Sequence, residues 1–141
     1  MIDISTLTVL DAAASDVANS LRSGDRVGLI GDLGAGKTTF VKCIARALGI
    51  TDELISPTFV YHQQYNLPTT IRGIARLHHF DLYRLERDED VVALGLDTHD
   101  EDGVSFIEWI EHAPKLQAAA QLLLTFTLDP DGTRQLSVER P

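Results

Sequence analysis

Hydrophobic positions along this chain change period several times, and each change marks an element. Ile4 to Val9 has the composition of an opening strand, and Ala12 to Leu21 carries Val17 and Leu21 at helical spacing. Ser23-Gly24-Asp25 is a turn. The apolar run Val27-Gly28-Leu29-Ile30 predicts a short strand buried on both faces, as in a parallel sheet. Thr38 to Leu48 returns to helical spacing and stops at Gly49. A polar connection from Ile50 to Ser56 ends at Pro57. Beyond it, Phe59 to Tyr65 and Ala75 to Leu82 read as strands that pair across a loop with Pro68 and Gly73. Asp88 to Leu94 predicts a short helix ended by Gly95, and Val104 to Ile107 a second buried strand. Leu122 to Leu128 and Gln135 to Glu139 flank Asp129-Pro130-Asp131-Gly132, a hairpin turn. Together these elements predict one α/β domain over residues 1–141. Its expected form is three layers around a mixed, mainly parallel central sheet with added hairpins.

Chemistry enters between the first buried strand and its helix. Gly31-Asp32-Leu33-Gly34-Ala35-Gly36-Lys37-Thr38 fits G-x-x-x-x-G-K-[ST] without mismatch, in the strand–loop–helix setting that a P-loop requires. Glycines let the backbone take positive φ and aim successive N–H groups inward, so residues 32–36 form an anion nest. Lys37, expected to be exposed, reaches the β- and γ-phosphates of a nucleotide, and the Thr38 hydroxyl is placed for Mg²⁺. Thr39 follows at the positive end of the helix.

Such a loop needs an acidic group across the metal, at the end of a neighbouring strand. Glu108 closes the run Val104 to Ile107, where this carboxylate is expected. Asp81 is the second candidate. Alternation puts His79, Asp81 and Tyr83 on one face and Phe80 and Leu82 on the other. The same alternation argues against His78-His79 as a metal pair. Ser56-Pro57-Thr58-Phe59 stands where a loop sensing the γ-phosphate through a threonine would lie. Trp109 follows Glu108 and should sit at the mouth of the site.

Composition narrows the function. The net charge is −9, and Lys37, Lys42 and Lys115 are the only lysines, which disfavours direct, autonomous grip on nucleic acid. The run Glu86-Arg87-Asp88-Glu89-Asp90 reads as a solvated helix start or a docking surface. One cysteine, Cys43, leaves no disulfide framework, and no apolar stretch approaches membrane-spanning length; a cytoplasmic location is expected. Cys43 reads as a small core residue.

The four motifs at 31–39, 56–59, 79–85 (His-Phe-Asp-Leu-Tyr-Arg-Leu) and 107–109 (Ile-Glu-Trp) occur in the order and spacing of one family. The chain resembles TsaE (YjeE), the bacterial ATPase of tRNA threonylcarbamoyladenosine biosynthesis, over roughly residues 5–139. The resemblance implies a P-loop fold that binds ATP and Mg²⁺ and hydrolyses ATP weakly alone. Its partner would be the TsaB–TsaD heterodimer, which makes the N6-threonylcarbamoyl group on adenosine 37 of tRNA, and hydrolysis would reset that complex. It carries phosphate and metal roles to Lys37 and Thr38, a switch role to Thr58, catalytic and metal-shell roles to Asp81 and Glu108, and a nucleotide-side role to Trp109. Leu10 and Ala14 stand where relatives often place a threonine and a glycine near the adenine, and Arg134 is a candidate neighbour of base or ribose. Two alternatives remain at this point: a non-catalytic ATP-sensing module and a P-loop small-molecule kinase. A guanine reader is disfavoured, because neither Asn19 nor Asn66 is followed by lysine.

Overall fold

A computed structural model describes residues 1–57 and 60–141. β1 (Ile2–Asp3) is brief, and α1 (Leu7–Ser20) begins where Thr6 accepts the Val9 amide at 3.3 Å. That cap overturns the strand expected over residues 4–9. The Thr6 oxygen satisfies an otherwise orphaned N–H, and Leu10, Ala13, Ala14 and Val17 supply a buried helical face. β2 (Arg26–Ile30) runs through the glycine loop into α2 (Lys37–Ala47). β3 (His62–Ile71) and β4 (Ile74–Asp81) make the expected antiparallel pair, but the chain turns at Arg72-Gly73 and Pro68 lies within β3. Proline is tolerated there because β3 is an edge strand whose register shifts between Asn66 and Ile71.

α3 (Asp88–Ala93) opens on three acids, as expected of a solvated helix start, and β5 (Gly103–Glu108) is buried throughout. A 3₁₀ turn (Ile110–His112) and α4 (Pro114–Ala118) follow, with Pro114 pre-setting the first helical turn. The hairpin of β6 (Leu122–Leu128) and β7 (Arg134–Glu139) completes the chain.

The sheet order is β1-β7-β6-β2-β5-β4-β3. Its four inner strands, β6-β2-β5-β4, run parallel, and antiparallel strands extend both sides. Alternation along the inner strands sorts the core. Val27, Leu29, Leu77, Val104 and Phe106 pack with Phe40 and Ile44 of α2 and Val17 of α1. Phe80 and Ile107 point the other way, onto Ile110, Leu116 and Val91. Truncating a core side chain such as Ile44 should cost about 2–5 kcal/mol. The result is three layers. No helix among the described residues is long and apolar enough to cross a membrane.

This topology sets the site. β2 and β5 are parallel neighbours, yet beyond their carboxyl ends β2 feeds α2 on one face and β5 feeds the 3₁₀ turn and α4 on the other. Chains that part in this way leave a crevice at the strand ends.

Candidate functional site

The crevice is a cleft of about 540 Å³. Asp32, Leu33, Gly34 and Gly36 form its loop side; Lys37, Thr38 and Thr39 enter from the start of α2. Asp81 and Tyr83 come from the end of β4, Glu108 and Trp109 from the end of β5. Ile4 to Leu7, Leu10 and Arg134 close the remaining side.

Glycine has a specific task here. Gly36 begins α2 at φ 110°, a left-handed conformation costly to residues with a Cβ. Among the described residues, a Cβ built on Gly34 would meet nothing within 4 Å, and one on Gly36 only the Arg134 Cδ at 3.9 Å. The loop therefore fronts open space of the kind a phosphate chain requires. Ala35 instead buries its side chain in the core, 1% exposed, so any part it takes in the loop is through its backbone.

Lys37 departs from expectation. It is 5% exposed rather than free, because its amine donates to the Gly31 and Asp32 carbonyls and lies 4.0 Å above the Trp109 ring. Burial pushes its pKa down, while Glu108, Glu111, Asp81 and Asp32 oppose that shift. The sequence could not show this fold-back, since the carbonyls that receive the amine converge only once the loop is folded.

The two candidate acids are brought together. Asp81 and Glu108 are register partners at the last positions of β4 and β5, on the same face and both buried. The Asp81 Oδ1 accepts the Tyr83 amide at 2.9 Å. The Thr38 hydroxyl lies 2.9 Å from Glu108 Oε2 and 3.1 Å from Oε1, donating to the carboxylate. His79 Nε2 also meets this carboxylate, 2.5 Å from Glu108 Oε2.

Trp109 takes φ 60°, and its ring packs against Tyr83 at 5.1 Å and His112 at 5.4 Å between centroids, at the cleft as expected. Arg134 donates from Nε to the Gly34 carbonyl at 3.3 Å. Leu10 lines the cleft; Ala14 is buried in the core instead. Thr58 lies outside the described residues. Tyr61 is tied to the site, because the Asp81 amide donates to its carbonyl at 2.9 Å. Cys43 is buried, and burial raises its thiol pKa, as suits a core residue. His78 and His79 do point to opposite faces. Sequence reasoning passed over His79, which touches Glu108, and Glu111, whose charge acts on Lys37. The β4 alternation already placed His79 on the Asp81 face; nothing announced the 3₁₀ turn that brings Glu111 close.

A glycine loop between a parallel strand and its helix, facing acids at the ends of the next two strands, defines a P-loop NTPase-like α/β domain. A family model described as threonylcarbamoyl adenosine biosynthesis protein TsaE matches residues 4–136. The tRNA threonylcarbamoyladenosine biosynthesis protein TsaE of Bacillus subtilis is 43% identical over 127 residues, 89% of this chain and 76% of that protein. Its Nostoc sp. counterpart is 38% identical over 128 residues, covering 86% and 74%. The crystal structure of Bacillus subtilis YdiB matches with a TM-score of 0.69 at 30% identity, over 96% of this chain and 80% of that one. The chain belongs to the TsaE family.

Proposed function

We propose that this chain binds ATP with Mg²⁺, hydrolyses it slowly alone, and thereby supports threonylcarbamoyl transfer to tRNA adenosine 37 by the TsaB–TsaD heterodimer. The observation that carries the reading is the meeting of the Thr38 hydroxyl and the Glu108 carboxylate at the exit of a glycine loop, with the Lys37 amine in the same cleft.

The residues fit the ligand. A hydroxyl and a carboxylate are hard oxygen donors, and Mg²⁺ characteristically takes one or two carboxylates and fills its remaining positions with water and phosphate oxygens. Among the described residues no group of three or more His, Cys, Asp and Glu forms a closed metal cage, as that coordination style allows. Thr38 and Glu108 would hold the ion, which when bound neutralises charge developing on the phosphate oxygens. Lys37 would exchange its Gly31 and Asp32 carbonyls for the β- and γ-phosphates. Asp81 would orient the attacking water, Thr58 would sense the γ-phosphate, and Trp109 and Arg134 would flank the nucleoside side. The small number of lysines and the net charge of −9 favour action through protein partners over direct binding to tRNA.

Trp109 is the only tryptophan, so its emission reports the cleft. A saturable fluorescence change with Mg-ATP is expected. In a reconstituted mixture of TsaB–TsaD, tRNA, threonine, bicarbonate and ATP, the chain should raise the yield of modified tRNA. Calorimetry showing no Mg-ATP binding would overturn the proposal.

A further inference from the structure

His79 is fully buried, on the face of β4 that looks onto α2, two residues before Asp81. Glu108 already has a partner in Thr38, but that hydroxyl lies almost equally near both carboxylate oxygens, at 2.9 and 3.1 Å. It does not select one of them. His79 does: its Nε2 contacts Oε2 alone, at 2.5 Å. The carboxylate already accepts from the Thr38 hydroxyl, and as an acceptor towards the imidazole too it leaves the hydrogen of that contact to Nε2. The other ring nitrogen, Nδ1, has no hydrogen-bond partner among the described residues. A hydrogen there would be a buried donor without an acceptor, which folded proteins rarely keep. Both nitrogens therefore point to the same tautomer, with the hydrogen on Nε2.

We propose that His79 is a positioning residue. It pins Oε2 of Glu108 through Nε2–H and so fixes the carboxylate orientation, leaving Oε1 as the oxygen not tied down by the imidazole. This rests on the reading of Glu108 as a Mg²⁺ ligand. Outer-shell donors of this kind orient the groups that touch a metal, and their loss typically weakens metal affinity or activity by about 10–100-fold.

The test pairs a ligand-free readout with a metal titration. Nitrogen-15 NMR of the histidines in the nucleotide-free protein should show an imidazole in the Nε2–H tautomer that disappears in H79Q and shifts in E108Q. With ATP present, H79L should raise the Mg²⁺ midpoint of the Trp109 fluorescence change by about tenfold or more. H79Q carries an amide N–H near the position of Nε2 and should recover most of that loss. A hydrogen on Nδ1, an imidazole indifferent to E108Q, or a wild-type Mg²⁺ midpoint in folded H79L would each overturn the proposal. Should H79L fail to fold, the NMR signature and the H79Q midpoint decide. Should the unaltered chain bind no Mg-ATP, the proposed function falls, and the NMR arm alone decides the His79–Glu108 pairing.

Discussion

His78 and His79 are neighbours on β4, and the two networks around them differ in completeness. On the α3/α4 side, His78 Nε2 meets Asp100 Oδ2 at 2.7 Å and its Nδ1 meets His62 Nε2 at 2.9 Å. Arg76 grips Asp100 with two bonds, at 2.7 and 3.0 Å, and His62 stacks on Phe80 at 4.2 Å. The cluster is tightly packed. A Cβ on Gly103 would come within 2.7 Å of Asp100 Oδ2 and 3.1 Å of His78 Cδ2. Both nitrogens of the His78 ring are used. On the α2 side, His79 Nδ1 has no partner among the described residues, and Lys37 is satisfied chiefly by carbonyls of its own loop. Among the described residues, one network pairs both ring nitrogens of its histidine and the other pairs only one. Unsatisfied buried polar groups are costly, so they persist where function retains them.

That contrast can be broken experimentally, beginning where the effect is largest. Lys37→Ala should remove most Mg-ATP binding, by about 100-fold or more, because the cleft loses its amine. Calorimetry checks this, and near-normal affinity would take Lys37 out of the site. Since the amine is buried, the same change also leaves the Gly31 carbonyl without that donor; a modest fall in nucleotide-free thermal stability is expected.

Glu108→Gln should retain nucleotide but lower turnover by about 100-fold, as the amide keeps shape while losing charge. Phosphate release with partners present measures it. Unchanged turnover would overturn the catalytic role proposed for Glu108.

Asp100→Asn should do the opposite: leave turnover intact and lower stability by about 1–2 kcal/mol, allowing for its partial exposure. The Arg76 guanidinium holds the Asp100 carboxyl well below the usual carboxylate range, with help from His78 and the Asp102 amide. A depressed folded-state pKa stabilises fully above the unfolded value near 3.9, and that stabilisation is lost as pH falls through the folded value. The gap between wild type and variant, followed by urea unfolding, should therefore narrow below about pH 4. A gap that stays constant down to pH 2 would show that the ion pair is not its source.

The smallest effect is optical. Mg-ATP should change Trp109 emission in the wild type and in Asp100→Asn alike, but not in Lys37→Ala. Loss of the response in Asp100→Asn would mean the two networks are coupled through β4.

Much of this was legible in the sequence, and the exceptions share a cause. The glycine loop, both strand-end acids and Trp109 were readable because their spacing is local and strand alternation fixes their face. The start of α1 was misread because Leu7 and Val9 are exposed, so apolar composition there carried no strand information; the Thr6 cap decided the element. The 3₁₀ turn and α4 were missed because they are too short for periodicity to register, and their burial against Ile107 and Phe80 is a tertiary fact. Lys37 was expected in solvent because its motif names a ligand contact, whereas its resting partners are set by the fold.

Trp109 carries one more consequence. Its left-handed backbone costs a non-glycine residue about 1–2 kcal/mol. The same dihedral steers the chain from β5 into the next layer and hangs the indole above the Lys37 amine. A glycine would make the bend with less strain but would have no ring to offer. Keeping the aromatic residue at the bend makes the turn between two layers and the ring beside the amine depend on one backbone conformation.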